Sequence, residues 1–326
     1  MPLIHSPYRA PHIFKSAFIS TVYSGIIRIE RINHQIRERV LTTDGDFIDL
    51  DWMLAKERSR TLLVLLHGLG GDSKRPYIVG PAKLFNDHGI DTVGINFRGC
   101  SGENNRLYRT YHSGDTDDLN AIVIHILNTT SYENIVLHGV SLGGNVVLKY
   151  LGEQRERPKE VKLAVAVSAP CDLVGSVDEL HKWHNFAFQL YFKWHLKARL
   201  RSKRLDFPDR ISTSEIRAIK TLRDFDNVYT APAHGFENGD HYYKTSSSVG
   251  LLSDIRVPVL LLNAKNDTFL TPSCTPMELG RHSSHLYVEQ PRYGGHVGFQ
   301  QSKSLYYDEE RSVGFVKEML GNGFKY

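Results

Sequence analysis

The 326-residue sequence predicts an α/β fold: a mostly parallel, twisted sheet flanked by helices and interrupted once by an inserted helical cap. Three observations predict it. Short apolar runs alternate with segments of helical spacing, the rhythm of βαβ units. One of these runs leads through a glycine-rich turn that carries a serine into a helix. Between about Leu173 and Asp254 no buried strand can be read, and only helical spacing recurs.

Taken in order, residues 1–35 hold three prolines and scattered aromatics, which suits an extended arm packed on the main domain with at most a short helix. Val40–Thr42 and Phe47–Trp52 are joined through Asp44-Gly45, a hairpin signal. Leu62–Leu66 is continuously apolar, as expected of a strand buried on both faces of a parallel sheet. Thr92–Ile95, Ile135–Leu137, Val161–Val167 and Val257–Leu262 repeat the pattern, and Leu286–Val288 is a weaker last strand. Helical spacing lies between them at Tyr77–Phe85, Asp117–Leu127 and Leu142–Leu151. In the interruption, Leu180, Trp183, Ala187, Leu190, Trp194 and Ala198 recur at helical spacing. A second helical stretch follows around Thr213–Thr221. The expected organisation is a core of residues 1–170 and 255–326, with 1–35 as its arm, and a helical cap over 171–254.

Composition narrows the class. Hydrophobic residues at 41% suffice for a large core, and a formal charge of +4 spread along the chain lacks the dense basic stripe of a nucleic-acid binder; no nucleic-acid partner is expected. Three widely spaced cysteines, Cys100, Cys171 and Cys274, read as reduced thiols of a cytoplasmic protein. The N-terminal segment lacks a signal peptide's apolar core and cleavage site. No apolar run reaches membrane-spanning length, because Ser20, Thr21, Ser24 and Gly25 break the stretch Phe18–Ile27.

The chemistry concentrates at three places. Gly139-Val140-Ser141-Leu142-Gly143 fits G-x-S-x-G between a buried strand and a helix, the context of a nucleophile elbow. There a strained turn projects the serine, and the helix N-terminus offers the N–H of Leu142 to an oxyanion. His67-Gly68-Leu69-Gly70-Gly71 follows the strand Leu62–Leu66 and supplies a second donor, Leu69. It does not fit G-x-G-x-x-G and no Walker lysine follows, so no nucleotide or other cofactor is expected. A serine nucleophile needs a base, and the base a carboxylate. Asp267 lies just past the end of Val257–Leu262, the sheet edge where ligands bind. Asp254 precedes that strand, at the wrong end, and Glu289 is the other competitor. His296 sits among Gly294, Gly295 and Gly298 after the last strand, a loop suited to carry an imidazole over a serine. His181/His184 and His282/His285 have metal-compatible spacing but no further ligands nearby, so no metal is expected.

These motifs resemble a known family. Asn96-Phe97-Arg98-Gly99-Cys100-Ser101-Gly102-Glu103, Arg106, Tyr111–Gly114 and Thr116–Leu119, with Gly139–Gly144 and Gly294–Phe299, are similar to the YheT-like branch of the α/β-hydrolases, over most of the chain from about Asp44. The resemblance implies a catalytic triad of Ser141, Asp267 and His296. It also implies hydrolysis of carboxylic esters, with short- to medium-chain acyl esters, acylglycerols or phospholipids as the substrate class. One departure stands out: where the family often has Asp-Asp-Pro, this chain has Asn266-Asp267-Thr268. His112 and Asp117 fit H-x-x-x-x-D, a pattern seen in acyltransferases; the plainer reading is a structural loop.

The expected partner is therefore a small acyl ester or lipid. An acyltransferase using the same triad with an alcohol acceptor, and a non-enzymatic binding protein on the same fold, are the alternatives. The cap aromatics Trp183, Phe186, Phe188, Tyr191, Phe192 and Trp194 suit three roles: a face packed on the core, an acyl pocket, or, with Lys193, Lys197, Arg199 and Arg201, peripheral contact with a membrane surface.

Overall fold

The computed structural model describes residues 3–31, 35–57, 59–302 and 304–321. Among them one sheet of nine strands runs through the molecule: β1 (Leu3–Ile4), β2 (Ile36–Leu41), β3 (Phe47–Met53), β4 (Thr61–Leu66), β5 (Asp91–Asn96), β6 (Asn134–Val140), β7 (Val161–Val167), β8 (Val259–Leu262) and β9 (Leu286–Glu289). Their spatial order is β1-β9-β8-β7-β6-β4-β5-β3-β2. β2 pairs antiparallel with β3, and β3 with β5; every other pairing is parallel. The Asp44-Gly45 turn closes the β2–β3 hairpin with Leu41 opposite Phe47. The two-residue β1, too short to carry a pattern, adds an edge strand beside β9.

The all-apolar strands are buried on both faces, and period-two alternation decides which residue faces which layer. In β4, Leu62, Val64 and Leu66 join one core, with α3 (Thr116–Thr129) and α4 (Leu142–Gly152). Leu63 and Leu65 join the other, with α2 (Pro76–Asp87) and α12 (Tyr307–Leu320). The remaining core helices are α1 (Ala17–Val22) in the N-terminal arm and α11 (Met277–His282).

Between β7 and β8 the chain is helical: α5 (Leu173–Leu180), α6 (Phe186–Asp206), α7 (Thr213–Ala218), α8 (Leu222–Phe225), α9 (Ala231–His234) and α10 (Gly239–Ser246). The longest, α6, turns a different stripe inward from the one its aromatic spacing suggests. Phe188, Leu196, Leu200 and Lys203 are buried, while Trp183 just before it and Leu190 and Trp194 on it are exposed. Two apolar stripes with the same helical period compete here, and periodicity alone cannot say which one meets the core.

The 96–119 block is held by an ion network under the hairpin. Arg98 is buried and grips both carboxylate oxygens of Asp118 at 2.6 Å while reaching Asp44 at 2.9 Å and Asp46 at 3.1 Å. Asn105 donates to Asp46 at 2.6 Å. His112 packs edge-on against His234, Phe236 and Tyr242, whereas Asp117 faces solvent and pairs with Arg155. The His112–Asp117 pattern is thus divided between a packed ring and a surface ion pair.

Removing the cation from this network takes from the buried Asp118 the guanidinium that grips both its oxygens. Arg98→Met is expected to lower the unfolding free energy by about 3–5 kcal/mol, read from urea denaturation; an unchanged midpoint would show that Asp118 does not depend on the guanidinium.

Candidate active site

Ser141 sits between β6 and α4 with φ 55° and ψ −121°, a backbone state that a non-glycine residue holds only when its surroundings impose it. The surroundings are tight. A Cβ on Gly139 would run into the Gly143 carbonyl, and one on Gly143 into the carbonyl oxygens of Leu66 and His67. The two glycines flanking the serine therefore let α4 start against the end of β4.

The same close approach brings the His67–Gly71 loop beside the serine: a Cβ on Gly68 would lie 3.1 Å from that of Ser141. The loop is anchored at His67, Gly68, Gly70 and Gly71. Phe97 N–H donates to His67 Nε2 at 3.2 Å, so the proton sits on Nδ1, which donates to the Gly68 carbonyl at 2.8 Å. Burial holds this imidazole neutral, lowering its pKa to about 3. Gly71 N–H donates to Gly68 O at 3.0 Å, and Gly70 N–H to the Tyr111 hydroxyl at 2.8 Å. The Arg199 guanidinium, reaching in from α6, donates to Gly70 O at 3.1 Å and Gly71 O at 3.3 Å. Leu69 and Leu142 line the cavity in front of Ser141.

The structure brings the three distant candidates together. His296 Nε2 lies 2.8 Å from Ser141 Oγ, and His296 Nδ1 lies 2.8 Å from Asp267 Oδ2. Asp267 is fixed in turn by the Phe269 N–H, 2.9 Å from Oδ1. The Phe269 ring lies 4.4 Å from the imidazole, tilted by 35°, and covers it. Of the competing acids, Glu289 pairs instead with Arg311 at 2.8 Å, and Asp254 ends a short helix before β8.

Residues that sequence reasoning did not assign to the site hold the histidine loop. Thr21 Oγ1 accepts from the His296 N–H at 2.9 Å. Ser20 donates to Gly294 O at 3.0 Å, and Ser24 to Gly298 O at 3.3 Å. These are the polar residues that break the apolar stretch 18–27, and their side chains reach the loop from the N-terminal arm. Ser168 accepts from the Val297 N–H at 3.0 Å. The Asn266 departure also acquires a reason. Its Oδ1 accepts from the Gly295 N–H at 3.0 Å while its Nδ2 donates to the Lys15 carbonyl at 3.1 Å. An aspartate could make only the first of these bonds.

Two cavities meet at the serine. The larger, about 1160 Å³ counted to its open mouth, lies between the sheet edge and the 171–254 helices, walled by residues such as Leu173, Val177, Leu196, Phe225 and Tyr229. The smaller, about 630 Å³, runs between α1 and α6 past Thr21, Ile26, Phe188 and Tyr191. Both touch Ser141, His296, Leu69, Phe192 and Phe269. Phe188, Tyr191 and Phe192 of the cap aromatics thus line cavity wall, whereas Trp183, Phe186 and Trp194 point outward. Lys203 and Asp226 are among the ionisable groups that face the larger cavity. Lys203 donates to Asn105 at 2.7 and 2.8 Å, and burial lowers its pKa to about 8. Asp226 accepts from Thr230 at 2.6 Å and Tyr243 at 2.5 Å, yet burial raises its pKa to about 6. No group of three or more potential metal ligands is found among the described residues.

Comparison with known proteins follows the same lines. A family model described as the alpha/beta hydrolase fold matches residues 61–301. YheT of Escherichia coli (strain K12), a candidate esterase by its name, is 33% identical over 267 residues, covering 80% of this chain and 78% of that protein. Phospholipase ABHD3 of Mus musculus is 29% identical over 88% of this chain and 72% of its own length. Among solved structures, the Pyrococcus furiosus esterase Pf2001 superposes with a TM-score of 0.59 at 16% identity, over 88% of this chain and 91% of that one, a likeness of fold.

Two outcomes test the site's supports. Thr21→Val keeps the shape but removes the acceptor of the His296 N–H; turnover of a short p-nitrophenyl ester is expected to fall about tenfold with KM nearly unchanged. For Asp226, folding raises the carboxyl pKa from the ordinary 3.8 to about 6. The native state therefore loses stability as pH rises through that window, and none below it. Asp226→Asn should gain stability relative to wild type between pH 4 and pH 7, by up to about 3 kcal/mol. Parallel melting curves across that range would show no such gain if the carboxyl titrates normally.

Proposed function

Because the chain belongs to the alpha/beta hydrolase family and is a carboxylic ester hydrolase, we propose that Ser141, His296 and Asp267 are its catalytic triad, working through an acyl-enzyme on short- to medium-chain acyl esters or acylglycerol-like lipids. The observation that carries this reading is the unbroken relay from Ser141 Oγ through both nitrogens of His296 to Asp267, each link 2.8 Å, at the mouth of a largely apolar cavity.

In the first half of the reaction Ser141 Oγ attacks the ester carbonyl carbon while His296 Nε2 takes the hydroxyl proton. Asp267, held by the Phe269 N–H, keeps the proton of Nδ1 in place and stabilises the imidazolium that forms. Negative charge develops on the carbonyl oxygen, where the N–H groups of Leu69 and Leu142 receive it. The Leu142 donor sits at the positive end of α4, and the Leu69 donor belongs to a loop whose neighbouring groups are already bonded, so neither must reorganise. His296 then gives its proton to the departing alkoxide. In the second half a water, deprotonated by His296, attacks the acyl carbonyl, and Ser141 leaves with its proton restored.

The two cavities divide the substrate. The larger one takes the acyl chain: its walls are aliphatic and aromatic, and its size suits a ligand of lipid dimensions. The smaller one holds the alcohol portion on the other side of the serine. The names of relatives are in keeping with this substrate class; a Saccharomyces cerevisiae relative, 27% identical over 78% of this chain and 58% of its own length, is called monoacylglycerol lipase.

Ser141→Ala is expected to lower kcat on p-nitrophenyl butyrate by at least ~10³-fold while leaving the melting temperature within a few degrees, and to abolish labelling by a fluorophosphonate probe. Retained hydrolysis, or labelling at another residue, would remove Ser141 from the nucleophile's role.

A further inference from the structure

The stripe of α6 that turns away from the core is apolar where solvent should favour polar side chains. Trp183 is 87% exposed, Trp194 64% and Phe186 60%, with Leu190 between them. Facing this helix across the smaller cavity is the N-terminal arm, and it too leaves apolar side chains in solvent: Phe18, Ile19, Ile26 and Ile27. The two elements touch through Phe18 and Phe188, whose ring centres are 5.4 Å apart. Ile26 belongs to both settings, lining the smaller cavity and standing 55% exposed. That cavity leads inward from between these elements to Ser141 and His296.

Charge tells what covers such a face. From residue 3 to residue 29 the chain has no Asp or Glu, and from residue 181 to residue 205 none either. Cations are interleaved with the exposed aromatics: Lys15 on the arm, Lys193 beside Trp194, Arg201 two turns further along α6. A surface that protects itself from aggregation alternates both signs of charge; this one carries a single sign. Tryptophan and phenylalanine set among lysine and arginine on one helix face are the composition of an interfacial helix, whose rings enter the headgroup layer while the cations meet anionic phosphates. A second copy of this chain would bring cation against cation across the same patch, which argues against self-association.

We propose that the outward stripe of α6 and the α1–Ile27 segment of the arm together form a docking face for an anionic phospholipid bilayer. Docked there, the protein presents the mouth of its smaller cavity to the lipid surface, and an ester embedded in the bilayer reaches Ser141 without crossing water. No helix among the described residues is long and apolar enough to span a membrane, so this attachment is peripheral and reversible. The docking itself does not depend on the triad; only the delivery of substrate rests on the ester-hydrolase reading.

The test separates the two. Full-length Ser141→Ala protein is floated with vesicles of phosphatidylcholine, with or without phosphatidylglycerol. Binding is expected with the mixed vesicles, at least about tenfold weaker with phosphatidylcholine alone, and weakened by salt as screened electrostatic attraction requires. The triple variant Phe186→Ser, Leu190→Ser, Trp194→Ser, none of which lines either cavity, should lose at least about tenfold in vesicle binding. In the Ser141 background the same triple variant should hydrolyse soluble p-nitrophenyl butyrate within about twofold of the parent rate, while losing most of its activity on an ester dispersed in the mixed vesicles. The proposal fails if the protein ignores both vesicle types or if the triple variant floats as well as its parent. It fails equally if sedimentation shows a dimer that the triple variant dissolves, which would make the face a protein interface. Retained soluble hydrolysis in Ser141→Ala with vesicle binding intact would overturn the triad and leave docking standing by itself.

Discussion

The contact on which the site depends is the one between Gly143 and the end of β4. At Gly143 the first turn of α4 presses on the carbonyl oxygens of Leu66 and His67, leaving no room for a side chain. That single approach fixes two things at once. It sets how far Ser141 stands above the sheet, and it sets where the His67–Gly71 loop begins relative to that serine. Because β4 and β6 are parallel neighbours in register from Thr61↔Asn134 to Leu66↔Gly139, both loops leave the sheet at the same level. Two segments more than seventy residues apart in sequence thereby meet beside Ser141. The positive φ of Ser141 is the local cost, of order 1–3 kcal/mol, and the packed layers on both sides of the sheet sustain it.

The histidine is placed by a different strategy. No strand delivers His296 directly; it comes from a loop in which Gly294, Gly295 and Val297 all have positive φ, and the Val297 N–H donates to Ser168, itself at positive φ. Such a loop needs external bonds to hold one shape. The N-terminal arm provides them, through Ser20, Thr21 and Ser24, and Asn266 ties the acid loop to the same arm through Lys15 O. Arg28 locks the far end of the arm, paired with Glu309 of α12 at 2.6 Å and stacked 3.5 Å over Tyr306. The arm is thus part of the frame that holds His296 in reach of Ser141.

This division explains what could be read from the sequence. Ser141, Asp267 and His296 each follow the C-terminal end of a strand, and strands buried on both faces announce themselves as apolar runs; order along the chain then suggests roles. Leu69 and Leu142 follow from the same logic, as neighbours of glycines at strand ends. The arm's contribution was not legible, because its partners lie up to 275 residues away and a serine inside an apolar stretch looks like an interruption. The orientation of α6 was not legible either. Its two stripes have equal period and similar hydrophobicity, and the inner one even includes a lysine, whose ammonium is satisfied only by the carbonyl and side-chain oxygens of Asn105. A rule that buries the more aromatic stripe chooses the wrong face, because it cannot see that acceptor.

Lys203 and Arg199 show why the inward stripe wins. Both are cations on α6 that reach acceptors on the core: Lys203 the Asn105 oxygens, Arg199 the Gly70 and Gly71 carbonyls and the Cys100 sulfur at 2.8 Å. Rotating the helix to bury Trp183 and Trp194 would gain apolar area, but it would take from the Gly71 carbonyl and the Asn105 oxygens the donors that now meet them, where each unmet buried group costs about 1–3 kcal/mol. The helix therefore seats itself by its polar contacts and accepts exposed aromatics as the consequence. Its seating also orients the peptide planes of Gly70 and Gly71, whose carbonyls point at Arg199 while the Gly70 N–H is held by Tyr111. The planes on the C-terminal side of Leu69 are fixed in this way. Through Arg199 the longest helix and the loop beside Ser141 are thereby tied to each other.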